Sequence, residues 1–406
     1  MFKLYKKIKE KYPQILIVGF VSFFTDIASE MLYPLTPIFL TTILGSSMMD
    51  VGLIEGIAEG LSSLLKTYSG FWSDKISKRR PFIFAGYLIS TLSRPLIGLS
   101  ISPLHVLGAR SVDRLGKGLR TAPRDALIAD IVKEQDRGLA FGWHRLMDTM
   151  GAVIGPLLLI FILTKISDLK KIYFWSIIPG AISLFFIFFI KEPQKLNRPT
   201  GQFKFHWKEL CSPGNSNMMS TNGEFKYFIL SWGLFCLTNS SDAFLLLKMK
   251  STGLNFSTIL FIYAFYNLIY ALLSPTLGSL SDKWGKLNIL FYGIIIFLFV
   301  YLGFSFATNL MHFFILYAIY GIYMAATEGV SKAYIADLAQ PQYKAFAMGI
   351  FGTTTGLAQI FASIVTGLLW DKFGPTNALL FNCLGAILFL LLNFKKTRKR
   401  FNSNFN

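Results

Sequence analysis

Charged residues are scarce in this sequence. Asp, Glu, Lys and Arg together make up 15% of the 406 residues, whereas soluble proteins carry roughly 25%. Hydrophobic residues account for 53%, and the mean hydropathy is +0.50. One soluble domain is therefore excluded. The question is whether the apolar residues cluster into runs of about 20, the length that a bilayer core requires.

Cysteine and histidine are also rare. The three cysteines, Cys211, Cys236 and Cys383, have no paired spacing, and the four histidines are scattered. The sequence therefore predicts neither a disulfide framework nor a zinc site. It also lacks the His-Glu-x-x-His and Gly-x-Ser-x-Gly motifs of hydrolases. We expect no enzyme, no cofactor and no resident metal.

Acidic residues are outnumbered, because 22 Asp and Glu stand against 40 Lys and Arg. In a soluble protein this balance would suggest a nucleic-acid partner. Here the basic residues sit in short segments between apolar runs, for example in 1–12, 74–80 and after 394. That is the positive-inside bias of a multi-pass protein. We therefore expect a bacterial cytoplasmic (inner) membrane protein with both termini in the cytoplasm and no nucleic-acid partner.

The apolar runs predict an all-α membrane protein with twelve transmembrane helices. The first six lie near 14–44, 49–72, 81–101, 103–121, 139–165 and 172–191. The second six lie near 227–248, 254–280, 287–308, 310–334, 344–370 and 376–394. The predicted domains are a cytoplasmic N-terminus (1–13), a six-helix bundle (14–191), a cytoplasmic linker loop (192–226), a second six-helix bundle (227–394) and a basic cytoplasmic tail (395–406).

The two halves repeat at a nearly constant offset. Gly70 and Asp74 return as Gly278 and Asp282, each 208 residues later. The segments 126–130 and 333–337 share the pattern Ala-x-Ile-Ala-Asp, offset by 207. Internal repeats of six spans are typical of transporters whose site lies between two halves.

These motifs resemble the major facilitator superfamily, in a bacterial, efflux-like branch. The family's loop between spans two and three reads Gly-x-x-x-Asp-Arg/Lys-x-Gly-Arg/Lys-Arg/Lys. The first copy here is Gly70, Asp74, Lys75, Lys78 and Arg79, and the second copy keeps Gly278, Asp282 and Lys283. The resemblance implies two pseudo-symmetric bundles. It also implies a cytoplasmic gate in which Asp74 meets the N-terminal end of span eleven, near Lys344.

A second element, Gly151, Gly155 and Pro156 in span five, resembles the Gly-x-x-x-Gly-Pro element described in antiporters of the family. Glycines one turn apart give a helix a smooth face for close packing, and proline bends it. Ordinary small-residue packing is the alternative explanation.

Charges inside the predicted spans indicate the functional site. A charge at the bilayer centre costs roughly 2.5–3.5 kcal/mol on insertion scales, so it tends to face a cavity or a partner. A desolvated carboxylic acid also holds a proton more readily unless a cation offsets it. The predicted cavity residues are Asp26, Glu30, Glu55, Glu59, Arg94, Arg110, Asp113, Asp148, Asp242 and Glu328.

Within this set, Asp26 and Glu30 are the first candidates for proton binding and Glu59 the next, with Arg110 as their partner. Static salt bridges are the alternative for each residue, although buried ion pairs are poor stabilisers. The charges at 117–125 are expected at a cytoplasmic helix end.

The leading hypothesis is a monomeric, proton-coupled transporter of a small organic solute by alternating access. Export by antiport of a drug, metabolite or siderophore is the first choice, and proton-coupled uptake of a nutrient or metal chelate is the alternative. A bare metal ion is disfavoured, because Lys66, Arg94 and Arg110 share the half that holds the acids. A receptor would need large soluble loops, and the one long loop has about 35 residues.

The topology can be tested by cysteine labelling. In a variant without native cysteines, Lys170→Cys should react with a membrane-impermeant maleimide in intact cells. Lys75→Cys should react only after permeabilisation. Labelling of both positions in intact cells would contradict the predicted orientation.

Overall fold

The fold is almost entirely helical. The structure is a computed structural model that describes residues 2–33, 35–46, 48–166, 168–192 and 223–405, and no strand occurs within them. The helices of the first half are α1 (Phe2–Lys11), α2 (Pro13–Leu32), α3 (Leu35–Ile38), α4 (Met48–Ile76), α5 (Arg80–Gly98), α6 (Pro103–Ile131), α7 (Arg137–Leu163), α8 (Leu169–Trp175) and α9 (Ile177–Ile187). Those of the second half are α10 (Glu224–Cys236), α11 (Ala243–Ser251), α12 (Phe256–Trp284), α13 (Lys286–Phe306), α14 (Leu310–Leu338) and α15 (Lys344–Phe405).

The helices form two bundles, which confirms the predicted architecture. In the first, α2 lies against α7 and α9, and α5 lies against α6. In the second, α12 lies against α14, and α10 lies against α15. The bundles meet along two equivalent pairs, α4 with α15 and α7 with α12. Most of the predicted linker, residues 193–222, lies outside the described residues.

Each bundle crosses the membrane six times. In the first bundle α2 with α3, and α8 with α9, each make one interrupted span; in the second, α10 with α11 do the same. The last helix, α15, supplies two spans because it breaks at Gly374, where φ is +81°. Glycine adopts this conformation readily, and Pro375 cannot continue the preceding helix.

Charge explains why composition alone finds fewer spans. Seven helical stretches of the described chain are long and apolar enough to cross a membrane by length and composition. Neither α4 nor α6 is among them. Both contain several charged residues, and most of those charges face the interior of the protein instead of lipid. Helices of this kind cross a membrane because their polar side faces a cavity.

The helix α6 is longer than the hydropathy predicts. It begins after Ser102, whose hydroxyl accepts a hydrogen bond from the backbone N–H of His105 (3.4 Å), and it runs to Ile131. The expectation that the charges at 117–125 lie at a cytoplasmic helix end is therefore wrong. Most of them lie within the helix and line the cavity described below.

The two bundles share one end that is rich in basic residues, and this end is called the basic end below. There the short helix α1 packs on the first bundle through the fully buried Ile8. Lys7 forms an ion pair with Asp136, and the Tyr12 hydroxyl donates to the same carboxylate (2.8 Å). Residues 2–11 of the predicted N-terminal segment therefore form a helix that contacts the loop before α7.

Candidate functional site

The first contact between the bundles joins the end of α4 to the start of α15. Gly70 lies directly against the Ala345 backbone, where a Cβ atom would not fit. The Asp74 carboxylate accepts the backbone N–H of Phe346 (2.7 Å) and forms an ion pair with Arg79 (2.5 Å). A carboxylate is stabilised at this place because the N-terminal end of a helix carries partial positive charge.

Asp130 extends this contact. It pairs with Arg79 of its own bundle (3.4 Å) and with Lys344 of the other bundle (2.9 Å). We call Asp74, Arg79, Asp130 and Lys344 latch 1.

An equivalent contact joins the end of α12 to the start of α7. Gly278 lies directly against the Gly138 backbone. The Asp282 carboxylate accepts the backbone N–H groups of Gly138 and Leu139 (both 2.8 Å). Asp282 also pairs with Lys286 (3.1 Å).

Asp337 completes the second set. It pairs with Lys286 of its own bundle (2.7 Å) and with Arg137 of the other bundle (2.5 Å). We call Asp282, Lys286, Asp337 and Arg137 latch 2.

The two latches are the sequence repeat in three dimensions. Each contains an acid at a helix end, a cation, a second acid and a cation from the opposite bundle. Arg79 corresponds to Lys286, Asp130 to Asp337, and Arg137 to Lys344, each pair 207 residues apart. Arg137 at the start of α7 belongs to latch 2, and Lys344 at the start of α15 belongs to latch 1. Each bundle therefore supplies one cation to the latch whose other members come from the opposite bundle.

Some predicted gate residues lie outside the latches. Lys75 sits over the Trp72 ring (4.6 Å to the centroid), and Lys78 and Lys283 are exposed. The gate prediction did not include Asp130, Asp337 or Arg137, and it named Lys344 only as the start of span eleven. The constant offset of 207 residues was the signal that could have found them.

Beyond the latches, a cavity of about 430 Å³ lies between the bundles. Its charged lining comes from both bundles, chiefly from the first. The basic residues are Lys66, Arg94, Arg110, Arg114, Lys117, Arg120, Arg124, Arg145 and Lys332. The acidic residues are Asp26, Glu30, Glu59, Asp113, Asp125, Asp148 and Glu328. The structure thus brings eight of the ten predicted cavity residues to one cavity.

Asp26 and Asp148 both line the cavity, and the two carboxylates are close enough to repel each other. Among the described residues, no cation is within 4 Å of the Asp26 carboxylate. Two carboxylates side by side repel each other unless a proton or a cation lies between them.

The Gly-x-x-x-Gly face of α7 sets this contact. A Cβ atom at Gly151 would be 2.5 Å from the Phe23 carbonyl oxygen and 3.0 Å from the Asp26 Cβ atom. A Cβ atom at Gly155 would be 2.9 Å from the Ile27 carbonyl oxygen. The two glycines therefore bring α7 against α2 at the level of its acids, with Pro156 next in the chain.

Arg145 links this acid pair to the other bundle. Its guanidinium donates to Asp148 (2.8 Å) and to Glu328 of α14 (2.9 Å). A second link nearby joins Lys332 of α14 to Asp125 of α6 (2.8 Å). The polar contacts between bundles that the described residues make lie between the basic end and this level.

Arg110 has a different partner from the one predicted. Its guanidinium forms a two-pronged contact with Glu55 (2.8 Å for each hydrogen bond). It also approaches Asp113 (3.5 Å), which in turn pairs with Arg94 (3.3 Å). The prediction that Arg110 partners Asp26, Glu30 or Glu59 is not what the structure shows. Glu55 is not itself part of the cavity lining, and it contacts the lining residues Arg110 and, at 3.8 Å, Arg114.

The remaining predicted acids differ in their surroundings. Glu59 has only distant partners, Lys66 at 3.9 Å and Arg114 at 3.8 Å. Glu30 lines the cavity without a cation within 4 Å among the described residues. Asp242 is not part of the cavity lining. It accepts hydrogen bonds from Tyr320 (2.6 Å) and Tyr266 (3.3 Å) inside the second bundle.

The sequence matches a family model along nearly its whole length. The model of the Major Facilitator Superfamily matches residues 18–248 and 227–405. An uncharacterized MFS-type transporter of Methanocaldococcus jannaschii is 34% identical over 391 residues, covering 95% of both chains.

Solved structures of low sequence identity share the fold. The human organic anion transporter MFSD10 superposes with a TM-score of 0.78 at 17% identity, covering 94% of this chain and 98% of that one. The E. coli fucose:proton symporter FucP gives 0.75 at 15% identity, covering 96% and 99%. The family model and the relative show that this chain belongs to the Major Facilitator Superfamily of membrane transporters, and its two six-helix bundles with a charged cavity between them agree with that.

Proposed function

We propose that the protein exports a small organic solute by proton antiport through alternating access. The observation on which this proposal depends is the charged cavity between two bundles, which the equivalent latches join at the basic end. Proton-coupled uptake of a nutrient or metal chelate is the alternative. FucP, which shares the fold, is a fucose:proton symporter.

The latches support alternating access. With the bundles joined at the basic end, the cavity communicates with the opposite end. Opening toward the basic end requires both Asp74 and Asp282 to leave the helix starts that they bind. The two arrangements then differ in a small set of charge-assisted contacts, and a ligand that binds one arrangement better shifts the population toward it.

The orientation follows from the basic loops. We place the basic end at the cytoplasm, because the positive-inside rule puts Lys- and Arg-rich short loops there. The arrangement described here is then open to the outside. A monomer in the inner membrane is sufficient, since both bundles come from one chain.

The Asp26 and Asp148 pair supports proton coupling. A proton relieves the repulsion between the two carboxylates and weakens the hold of Asp148 on Arg145. Arg145 also binds Glu328 of the other bundle, so protonation of the acid pair also alters a contact between the bundles. Proton binding and bundle movement are thereby linked through one guanidinium.

Export is preferred because of the position of the Gly-x-x-x-Gly-Pro element. It packs against the backbone of α2 beside Asp26 and Glu30, which are the first candidates for proton binding. In this interpretation, the element that resembles the antiporter motif sets the geometry of the proton site.

Asp26→Asn tests the coupling. A deletion strain is first screened against a compound panel to find a solute to which the wild-type protein gives resistance. In proteoliposomes, the wild-type protein should accumulate that solute when a pH gradient is imposed. Asp26→Asn should still exchange it but lose the dependence on the gradient, because the amide cannot take up a proton.

Asp168→Asn is the matched control, since Asp168 is exposed and caps α8, a role that asparagine fills equally well. Gradient-driven accumulation by Asp26→Asn at the wild-type level would refute Asp26 as the coupling residue.

Asp74→Asn and Asp282→Asn test the latches. A hydrogen bond to a charged group contributes about 1.5–3 kcal/mol, and about 1.4 kcal/mol is tenfold in an equilibrium. Each variant should therefore shift the population toward the arrangement that is open at the basic end by about tenfold or more. The readout is the labelling rate of a cysteine introduced in the cavity wall (Thr355→Cys) in inside-out vesicles.

Lys283→Gln serves as the control, because Lys283 follows Asp282 but is exposed and outside latch 2. If the two aspartate variants label at the same rate as this control, the latches do not hold the basic end closed.

A further inference from the structure

The cavity lining has more basic than acidic side chains. Nine Lys and Arg residues and seven Asp and Glu residues line it. Five of the basic residues, Arg110, Arg114, Lys117, Arg120 and Arg124, come from α6 and recur every three or four positions. Residues at this spacing lie along one side of a helix. One wall of the cavity is therefore a basic stripe.

Part of this stripe forms no close ion pair within the protein, and the acids that act on Lys117 from farther away are Glu59 and Asp26. Among the described residues, no carboxylate lies within 4 Å of the Lys117 or Arg120 side chains. Arg114 reaches Glu55 and Glu59 only at 3.8 Å. The acids Asp113, Asp125, Asp148 and Glu328, by contrast, each have a cation within 3.5 Å.

Arg120 is held in place by neutral groups. The Arg120 guanidinium lies over the Tyr87 ring (4.1 Å to the centroid) and donates to the Ser90 hydroxyl (2.8 Å). Close packing of α5 on α6 at Gly86 and Gly116 fixes this position. Burying a charge without a counter-charge is costly. A rigid, unpaired cation that faces a cavity between membrane helices therefore favours a ligand that supplies the negative charge.

The wall opposite the stripe has a different character. Trp232, Tyr263 and Phe351 of the second bundle line it, together with the neutral polar residues Asn267 and Gln359. The Trp232 indole N–H has no hydrogen-bond partner among the described residues, and the side chain is 6% exposed. The charged residues on this side, Glu328 and Lys332, are paired with Arg145 and Asp125 of the first bundle. The rest of this wall offers aromatic surface and neutral polar groups, which suit the apolar body of a ligand.

We propose that the transported solute is a small organic anion with an aromatic or apolar body. Its carboxylate, sulfonate or phosphate group binds Lys117, with Arg114 and Arg120 beside it. Its body lies against Trp232, Tyr263 and Phe351. This proposal rests on the proposed transport function and specifies its substrate class. The cavity volume suits a ligand of drug size or smaller.

Three compounds with one shared body test the charge preference. They are 2-naphthoate, 2-naphthamide and 2-naphthylmethylammonium, and 2-naphthyl phosphate and naphthalene-2-sulfonate extend the anionic arm. The measurement is the thermal unfolding midpoint of the purified full-length protein in nanodiscs as each compound is titrated. A ligand that binds only the folded state raises this midpoint as its concentration exceeds its Kd. At least one anion should raise the midpoint at concentrations at which the amide and the ammonium compound do not.

Substitution of the stripe locates the binding site. Lys117→Gln should weaken binding of the stabilising anion by about tenfold or more, since a hydrogen bond to a charged group is lost. Lys117→Arg should retain most of the affinity, which also shows that the position tolerates substitution. Lys250→Gln removes an exposed lysine outside the cavity and should bind the anion as the wild-type protein does.

The proposal fails if none of the three anions raises the midpoint, if the amide or the ammonium compound binds as tightly, or if Lys117→Gln leaves the affinity unchanged. Failure of the transport proposal looks different. If an anion binds at Lys117 but is never moved across a liposome membrane, the proposed transport function is refuted and the proposed binding site is not. If the pH gradient drives movement of only neutral or cationic compounds, the proposed anionic substrate class is refuted and the proposed transport function is not.

Discussion

The structure depends on one interaction that is made twice. A carboxylate at the end of a helix in one bundle accepts backbone N–H groups at the start of a helix in the other. Asp74 does this at Phe346, and Asp282 does it at Gly138 and Leu139. Glycine at both crossings allows the backbones to approach closely enough for these bonds. The helix starts supply partial positive charge, which adds to the cation beside each carboxylate, Arg79 at Asp74 and Lys286 at Asp282.

The same contacts are well suited to being broken. They lie at the surface end of the bundles, where water can replace them as the helices separate. The exchanged cations Arg137 and Lys344 bind across the interface, so separation of the bundles breaks both networks together. Deeper in the protein, Arg145 continues the linkage by binding Asp148 on its own helix and Glu328 on the opposite bundle. Ionic contacts between the bundles therefore occur at the level of the acid pair as well as at the latches.

The sequence contained enough information to predict the two bundles and the latch acids. A constant offset near 207 residues relates Gly70 and Asp74 to Gly278 and Asp282. It defines a repeated structure whether or not the hydropathy of any one span is clear. The glycine element of α7 could be recognised too, although only the structure shows that it packs beside Asp26.

Other features could not be predicted, for identifiable physical reasons. The hydropathy pattern predicted that the fourth span ends near residue 121, because charged residues usually lie outside the membrane. In the structure, Lys117 and Arg120 lie within α6 and face a cavity. The pairing of Arg110 with Glu55 depends on how α6 is rotated about its axis relative to α4, which depth in the membrane does not determine. Asp242 lies just before α11, where its span is interrupted, and so it meets tyrosines of its own bundle.

In the proposed transport cycle, the acid pair controls the latches. The distance between the two bundles at the basic end tests this control. Spin labels on Lys78→Cys and Lys283→Cys would report the separation of the two bundles at the basic end, since both positions are exposed and outside the latches. A change of pH should shift the wild-type distance distribution between a short and a long population, and Asp26→Asn should abolish this shift. A pH-dependent shift of the same size in Asp26→Asn would show that Asp26 does not control the latches.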